Sequence, residues 1–141
     1  MLWVIDASIA AKWFLPELHK ESAEKLLREY LSDTTQFIAP DILIAEVGNI
    51  FWKRSIHLRD ITEAQAAASY SNFLALDIPL HPSSQLASAA LQFAMKHRRP
   101  IYDMTYLALA EQRGWEFVTA DEKLVNALKK TFPCLRWIGS I

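Results

Sequence analysis

The sequence predicts a three-layer α/β/α sandwich with a central, mainly parallel sheet. Short apolar segments of strand length alternate with amphipathic segments of helix length along the whole chain, as in parallel sheets covered by helices on both faces. The first segment, Leu2–Ile5, is apolar throughout and ends at Asp6, which is typical of a strand buried on both faces. The length of 141 residues, with 52% hydrophobic residues, suits a single domain over positions 1–141.

The next elements follow from side-chain spacing and from residues that begin helices. Apolar residues recur at intervals of three and four over 23–31, which predicts an amphipathic helix. Residues 37–39 predict a second strand, and Asp41 is expected to cap a helix that ends near residues 54–55.

A capping box and a proline define the middle of the chain. Thr62 and Gln65 have the spacing of a capping box, so we expect a helix over 62–76. The segment 78–80 predicts a short or edge strand because it contains a proline. Residues 86–95 have the clearest helical stripe in the sequence.

The last third of the chain repeats the alternation. Residues 103–113 predict a helix, and Gly114 stands where a left-handed cap residue belongs. Residues 116–119 predict a strand, 121–130 a helix and 135–138 a final strand.

Four acidic residues stand at positions that invite a functional explanation. Asp6 and Asp121 come at or just after the ends of predicted strands, where parallel sheets collect their ligands. Glu46 interrupts an otherwise uncharged apolar helix, and Asp103 begins a helix of mainly apolar residues. Simpler explanations exist: Asp103 and Asp121 as helix caps, Asp6 as a turn residue, and Glu46 as the ion-pair partner of Lys53.

Convergence of these four acids would create a cation site. Two carboxylates about 5 Å apart repel each other by roughly 3 kcal/mol at an effective dielectric constant near 20, so a cluster would take up protons or bind a cation. Oxygen ligands without clustered cysteine or histidine favour Mg²⁺ or Mn²⁺ over zinc. Such an ion lowers the pKa of a bound water, which suits hydrolysis of a phosphodiester.

Composition argues against several other classes of function. The chain has three glycines and no glycine-rich phosphate loop. Cys134 is the single cysteine, so no intramolecular disulfide can form, and we expect it to be buried. The net charge of −1 shows no basic excess, so nucleic-acid binding would depend on local basic patches. We expect no membrane span and no signal peptide, hence a soluble, cytoplasmic protein.

Four motifs span nearly the whole chain: Val4–Ser8, Pro40–Asn49, Tyr102–Ala110 and Val118–Leu124. In this order they resemble the PIN-domain nucleases and are most similar to the VapC-type toxins of prokaryotic toxin–antitoxin modules. The departures are slight: Met104 and Thr105 follow the third acid where small residues often stand. The resemblance implies a PIN-like fold.

The resemblance also implies roles for seven residues. Asp6, Glu46, Asp103 and Asp121 match the family's catalytic, metal-binding acids, while Ser8, Asn49 and Thr119 match supporting positions. The implied activity is that of an Mg²⁺- or Mn²⁺-dependent endoribonuclease with an RNA substrate. The implied partners are a second copy in a homodimer and a small DNA-binding antitoxin protein. The number of metal ions stays open.

Other functions remain possible at this point. A stand-alone RNA-processing nuclease and a non-catalytic RNA-binding PIN domain share the fold, and a Mg²⁺-dependent phosphatase would need an aspartate where Ser8 stands. Trp13 and Phe14 are expected to stack on bases or on a partner chain, or to pack in the core. The candidate RNA contacts, each also explicable as a solvated helix-end charge, are Lys12, Lys53, Arg54, His97, Arg98, Arg99, Lys129 and Lys130.

Overall fold

Five parallel strands form the central sheet of this structure, a computed structural model that describes residues Met1–Ile141. The strands are β1 (Leu2–Ile5), β2 (Gln36–Pro40), β3 (Leu80–His81), β4 (Glu116–Thr119) and β5 (Leu135–Trp137). Their order across the sheet is β3-β2-β1-β4-β5, and every neighbouring pair is parallel. The chain therefore builds one half of the sheet outward from β1 and then returns to build the other half.

Helices connect the strands and cover the sheet, which confirms the predicted α/β/α sandwich. They are α1 (Ala7–Lys12), α2 (Lys20–Leu31), α3 (Ile42–Trp52), α4 (Glu63–Ala75), α5 (Ala87–His97), α6 (Ile101–Arg113) and α7 (Glu122–Leu128). A π-helical turn, Lys53–His57, continues α3 beyond its predicted end. No helix is both long enough and apolar enough to span a bilayer.

Several predicted details are confirmed at the level of single hydrogen bonds. Thr62 and Gln65 form the capping box, with Gln65 N donating to Thr62 Oγ1 at 3.0 Å and Thr62 N donating to Gln65 Oε1 at 2.8 Å. Gly114 closes α6 with a φ of 68°, in the left-handed region that favours glycine. The strand near Pro79 is short and lies at the sheet edge.

Other predictions were wrong. Asp41 does not cap α3: its backbone is already helical, and its side chain accepts a hydrogen bond from Ser83 N at 3.2 Å instead. Cys134 is half-buried rather than buried, and its Sγ donates to Glu111 Oε1 at 3.3 Å. Burial raises the pKa of the Cys134 thiol to about 12, so the thiol stays protonated and unreactive at neutral pH.

The helix α6 lies at the centre of the packing. Residues 104–110 of α6 are all buried, because one side of the helix contacts the middle strands of the sheet and the other side packs against α5. Because a helix buried on both sides has no face exposed to water, its residues are almost all apolar, as they are in this segment. Side chains carried by α6 are therefore held on a rigid support.

Aromatic stacking and burial settle the role of Trp13. The rings of Trp13 and Tyr30 both stack on Phe37, with centroids 5.7 Å and 4.6 Å from that of Phe37. The indole Nε1 of Trp13 donates to Ala23 O at 2.9 Å, and the side chain is buried. Phe14 packs edge-on against Phe51. Trp13 is thus a core residue that cannot stack on a nucleobase.

At Gly48, the helix α3 lies directly against the ring of Tyr70 on α4. A Cβ atom at this position would lie 3.0 Å from the ring of Tyr70. The Tyr70 hydroxyl donates to Ile44 O at 2.6 Å, so the ring cannot withdraw without losing that bond. Gly48 therefore permits a contact that a larger residue would block.

We expect Gly48→Ala to destabilise the fold by about 1–2 kcal/mol in urea unfolding at 25 °C. Overpacking and the strained Tyr70 hydrogen bond outweigh a helix-propensity gain of up to about 1 kcal/mol. The same change in a Tyr70→Ala background, where the ring is absent, should stabilise the protein. A stabilising effect of Gly48→Ala in the wild-type background would contradict this packing argument.

Candidate active site

The strand order of the sheet reverses between β1 and β4, and this is where the predicted site residues meet. The chain leaves the carboxyl ends of these two neighbouring strands toward opposite sides, which opens a crevice between the outgoing loops. Asp6 follows β1 directly, Thr119 ends β4, and Asp121 lies two residues beyond it. Topology alone therefore brings two of the four acids to one place.

A cleft of about 610 Å³ opens at this crevice. All seven residues singled out in the sequence lie on its wall: Asp6, Ser8, Glu46, Asn49, Asp103, Thr119 and Asp121. The cleft wall also contains Tyr102 and Tyr106, which the sequence did not single out. Tyr106 lies three residues after Asp103, so the shared helix face was the signal that could have found it.

Asp6 is held on both carboxylate oxygens. Its Oδ1 accepts from Ser8 Oγ at 2.5 Å and from Ile9 N at 3.1 Å, and its Oδ2 accepts from Thr119 Oγ1 at 2.5 Å. The bond from Ile9 makes Asp6 the N-cap of α1, a helix that the sequence had not predicted. The two hydroxyls in turn fix the opposite loop, because Ser8 Oγ accepts from Ala120 N and Thr119 Oγ1 from Asp121 N.

Asp121 is both a helix cap and a cleft residue. Its Oδ1 accepts from Leu124 N at 3.0 Å and so caps α7, as the simpler explanation held. No protein group donates to its Oδ2. The cap therefore fixes the side chain beside the cleft and leaves one oxygen free for a ligand.

Asp103 and Glu46 come from the two helices on either side of the cleft. The cap explanation for Asp103 was wrong, because α6 begins two residues earlier and Asp103 lies within its first turn. The Glu46 carboxylate does not pair with Lys53; its Oε1 accepts from Tyr106 Oη at 2.6 Å. Asn49, one turn beyond Glu46 on α3, is exposed at the cleft wall.

Burial and mutual repulsion raise the pKa of three of these acids. Burial raises the pKa of Asp6 to about 6, against the lowering effect of its hydrogen-bond donors. Burial also raises the pKa of Glu46 and of Asp103. Asp103 is the common neighbour: its charge raises the pKa of Asp6 and of Glu46, and the charge of Asp121 raises its own. The four acids thus form one electrostatic unit centred on Asp103.

The donor chemistry of this unit fits a hard divalent cation. The residues offer carboxylate oxygens only, several of them without a protein donor, and no sulfur or imidazole ligand lies among them. In this conformation no group of three or more acidic, histidine or cysteine side chains is arranged to hold one ion. Side-chain rotation within the cleft would have to bring the acids closer together.

Two of the predicted RNA contacts are occupied by ion pairs. Lys12 is buried, and its Nζ lies 3.3 Å from Glu17 Oε2, while Arg54 Nη1 lies 2.8 Å from Glu17 Oε1. Arg54 also pairs with Asp60. The prediction that Lys12 contacts RNA was wrong, because its charge is enclosed and neutralised by Glu17.

The other basic residues predicted to contact RNA differ in their exposure and in their position relative to the cleft. His97 packs edge-on against Phe132 at 5.3 Å, whereas Arg98 is exposed and Arg99 is half-exposed between α5 and α6. The charge of Arg99 lowers the pKa of Asp103, which indicates that the guanidinium lies near the cleft. The remaining exposed candidates are Lys53, Lys129 and Lys130, and none of them lines the cleft.

We expect Asp6→Asn to stabilise the metal-free protein above pH 6 but not near pH 4. Between the unfolded pKa, near 4, and the folded pKa of about 6, the folded chain holds a proton that the unfolded chain has released, so stability falls as pH rises. A shift of this size corresponds to roughly 3 kcal/mol, reduced to about 2 kcal/mol by one weakened hydrogen bond.

Urea unfolding in chelator at pH 4 and pH 7.5 measures this effect. The matched control is Glu63→Gln, which changes an exposed acid in the first turn of α4. An equal effect of Asp6→Asn at both pH values would show that burial does not raise the pKa of Asp6.

Comparisons with known proteins agree with this architecture. The family profile described as the PIN domain matches residues 3–130 of the chain. Ribonuclease VapC3 from Pyrobaculum aerophilum is 30% identical over 138 residues, which cover 96% of this chain and 98% of that protein. The crystal structure of PAE2754 from Pyrobaculum aerophilum matches with a TM-score of 0.71 at 19% identity, over 99% of this chain and 85% of that one, and so shares the fold. The chain belongs to the PIN-domain family.

Proposed function

We propose that this protein is a metal-dependent endoribonuclease that hydrolyses RNA phosphodiester bonds and serves as the toxin of a toxin–antitoxin module. The observation that carries the proposal is the group of four acids on one cleft at the reversal of the strand order. The similarity to a ribonuclease over nearly the whole chain supports RNA as the substrate.

Mg²⁺ or Mn²⁺ would be held by Asp6, Glu46, Asp103 and Asp121. When bound, such an ion supplies an activated water and neutralises the charge that develops on the phosphate. The protein's part is to concentrate carboxylates in a crevice that raises the pKa of Asp6, Glu46 and Asp103, and a bound cation would stabilise their charged forms. Asp103, which accepts no hydrogen bond from the protein, is the acid with the most freedom to turn toward the ion.

The residues around the acids have two proposed roles: some hold the acids in place, and others contact the RNA. Ser8 and Thr119 anchor Asp6 to the loop after β4, so that Asp6 and Asp121 keep a fixed separation. Asn49 offers an amide at the cleft wall, where it would contact the sugar–phosphate backbone. Arg99, whose charge acts on Asp103, supplies positive charge beside the acids, which an otherwise weakly acidic chain needs to attract RNA.

The proposed partners are a second copy of the chain and a small DNA-binding antitoxin, and the proposed location is the cytoplasm, where RNA is available. The similarity to a protein named ribonuclease VapC3 supports an antitoxin partner. Large apolar side chains are available for protein contacts: Trp52 is 50% exposed at the end of α3, Leu58 is 59% exposed just after the π-helical turn, and Met95 is 64% exposed on α5.

We expect Asp103→Asn to reduce RNA cleavage by on the order of 100-fold or more while leaving the circular dichroism spectrum unchanged. Even partners of metal ligands cost 10- to 100-fold when removed, and Asp103 is the acid that interacts with all three others. Chelator should abolish cleavage by the wild type, and added Mn²⁺ should restore it.

The control for this experiment is Glu63→Gln, on a helix that does not line the cleft. Cleavage in chelator, or full activity of Asp103→Asn, would remove the basis for a metal-dependent nuclease. RNA binding without cleavage by the wild type in Mn²⁺ would favour the non-catalytic alternative.

The toxin role is tested in cells. We expect expression of the wild type, but not of Asp103→Asn, to arrest growth, because uncontrolled RNA cleavage is harmful. Co-expression of the neighbouring reading frame should restore growth if that frame encodes the antitoxin. Active cleavage in vitro without growth arrest would instead identify a stand-alone RNA-processing nuclease.

A further inference from the structure

Tyr106 is a cleft residue that bonds to one of the four acids and has no assigned role so far. It lies on α6, three residues after Asp103, and its side chain is 1% exposed. Its ring stacks on Phe117 of β4, with centroids 5.7 Å apart and planes 14° from parallel. The ring is therefore fixed between the sheet and the cleft, and only the hydroxyl reaches the acids.

The hydroxyl makes one hydrogen bond, and its direction is determined by the surroundings. Tyr106 Oη donates to Glu46 Oε1 at 2.6 Å. A tyrosine hydroxyl is protonated at neutral pH and an ionised carboxylate can only accept, so Tyr106 is the donor in this bond.

This bond joins the two helices that face each other across the cleft. Glu46 belongs to α3, whereas Tyr106 and Asp103 belong to α6, the helix that is packed on both sides. The long Glu46 side chain has three rotatable bonds, and without a partner it would sample many positions. With Oε1 held by Tyr106, the position of Oε2 relative to Asp103 is restricted.

We propose that Tyr106 is a positioning residue whose hydroxyl holds Glu46 so that Oε2 faces the divalent cation of the proposed metal site. The inference rests on the proposed function, since it concerns how that ion is bound. Hydrogen bonds to metal-ligating carboxylates orient the ligand and raise affinity for the ion. A phenol that served packing alone could be replaced by phenylalanine without any effect on metal binding.

The test is the affinity for Mn²⁺ measured by titration calorimetry in the absence of RNA. Tyr106→Phe keeps the ring and its stack on Phe117 and removes only the hydroxyl, so the metal-free unfolding transition should stay close to that of the wild type. We expect Mn²⁺ affinity to fall about 10-fold or more.

Tyr70→Phe is the matched control. Tyr70 also donates a 2.6 Å hydrogen bond to α3, but to the backbone oxygen of Ile44 rather than to an acid. Its loss should leave Mn²⁺ affinity unchanged. An equal loss in both variants would show that affinity follows the general stability of α3, and it would overturn the inference.

A double-mutant cycle separates action through Glu46 from a direct effect. In a Glu46→Ala background, Tyr106→Phe should cause no further loss of Mn²⁺ affinity, and an additive loss would contradict the mechanism. Glu46→Asp, too short to reach Tyr106 Oη, should weaken binding and become insensitive to Tyr106→Phe.

The possible outcomes separate a failure of the positioning role from a failure of the proposed metal-dependent function. If the wild type binds no Mn²⁺, the proposed metal site is wrong and the inference falls with it. If the wild type binds Mn²⁺ and Tyr106→Phe binds it equally well, the metal site stands and the positioning role alone is overturned.

Discussion

The concentration of carboxylates at the end of β1 is the constraint on which the rest of the site depends. Asp6 is buried where the strand order reverses, and its charge is opposed by burial and by the nearby Asp103. A fold tolerates such a residue only if other groups compensate for it. Three donors to Asp6 supply part of that compensation, and a bound cation would supply the remainder.

The structural and the proposed chemical roles of the acids reinforce each other. Asp6 caps α1 and Asp121 caps α7, so the same side chains that face the cleft also fix the helices that begin beside it. Asp103 and Tyr106 are held by α6, which is immobilised between the sheet and α5. The site is thus built on secondary structure rather than on loops, and its geometry is set by the fold itself.

The sequence predicted most of the fold and the members of the cleft, and the exceptions have physical reasons. The strand-end position of Asp6 could be read from a local apolar run, and so could the isolation of Glu46 among apolar neighbours. The six-residue helix α1 was missed because it follows β1 without a turn and carries too few residues to show a period. The partner of Glu46 was missed because Tyr106 is 60 positions away, and no local pattern encodes such a contact.

The ion pairs of Glu17 restrict which residues are tolerated in an exposed segment of the surface. Glu17 lies in the segment between α1 and α2, yet one of its oxygens pairs with Lys12, whose side chain is 7% exposed, and the other pairs with Arg54 in the π-helical turn after α3. Loss of this carboxylate would leave the buried ammonium group of Lys12 without its ion-pair partner, which destabilises a fold. Ion pairs with Lys12 and Arg54 therefore hold this segment in place. Its neighbours Pro16 and Leu18 are exposed, but Glu17 itself can be replaced only at a cost in stability.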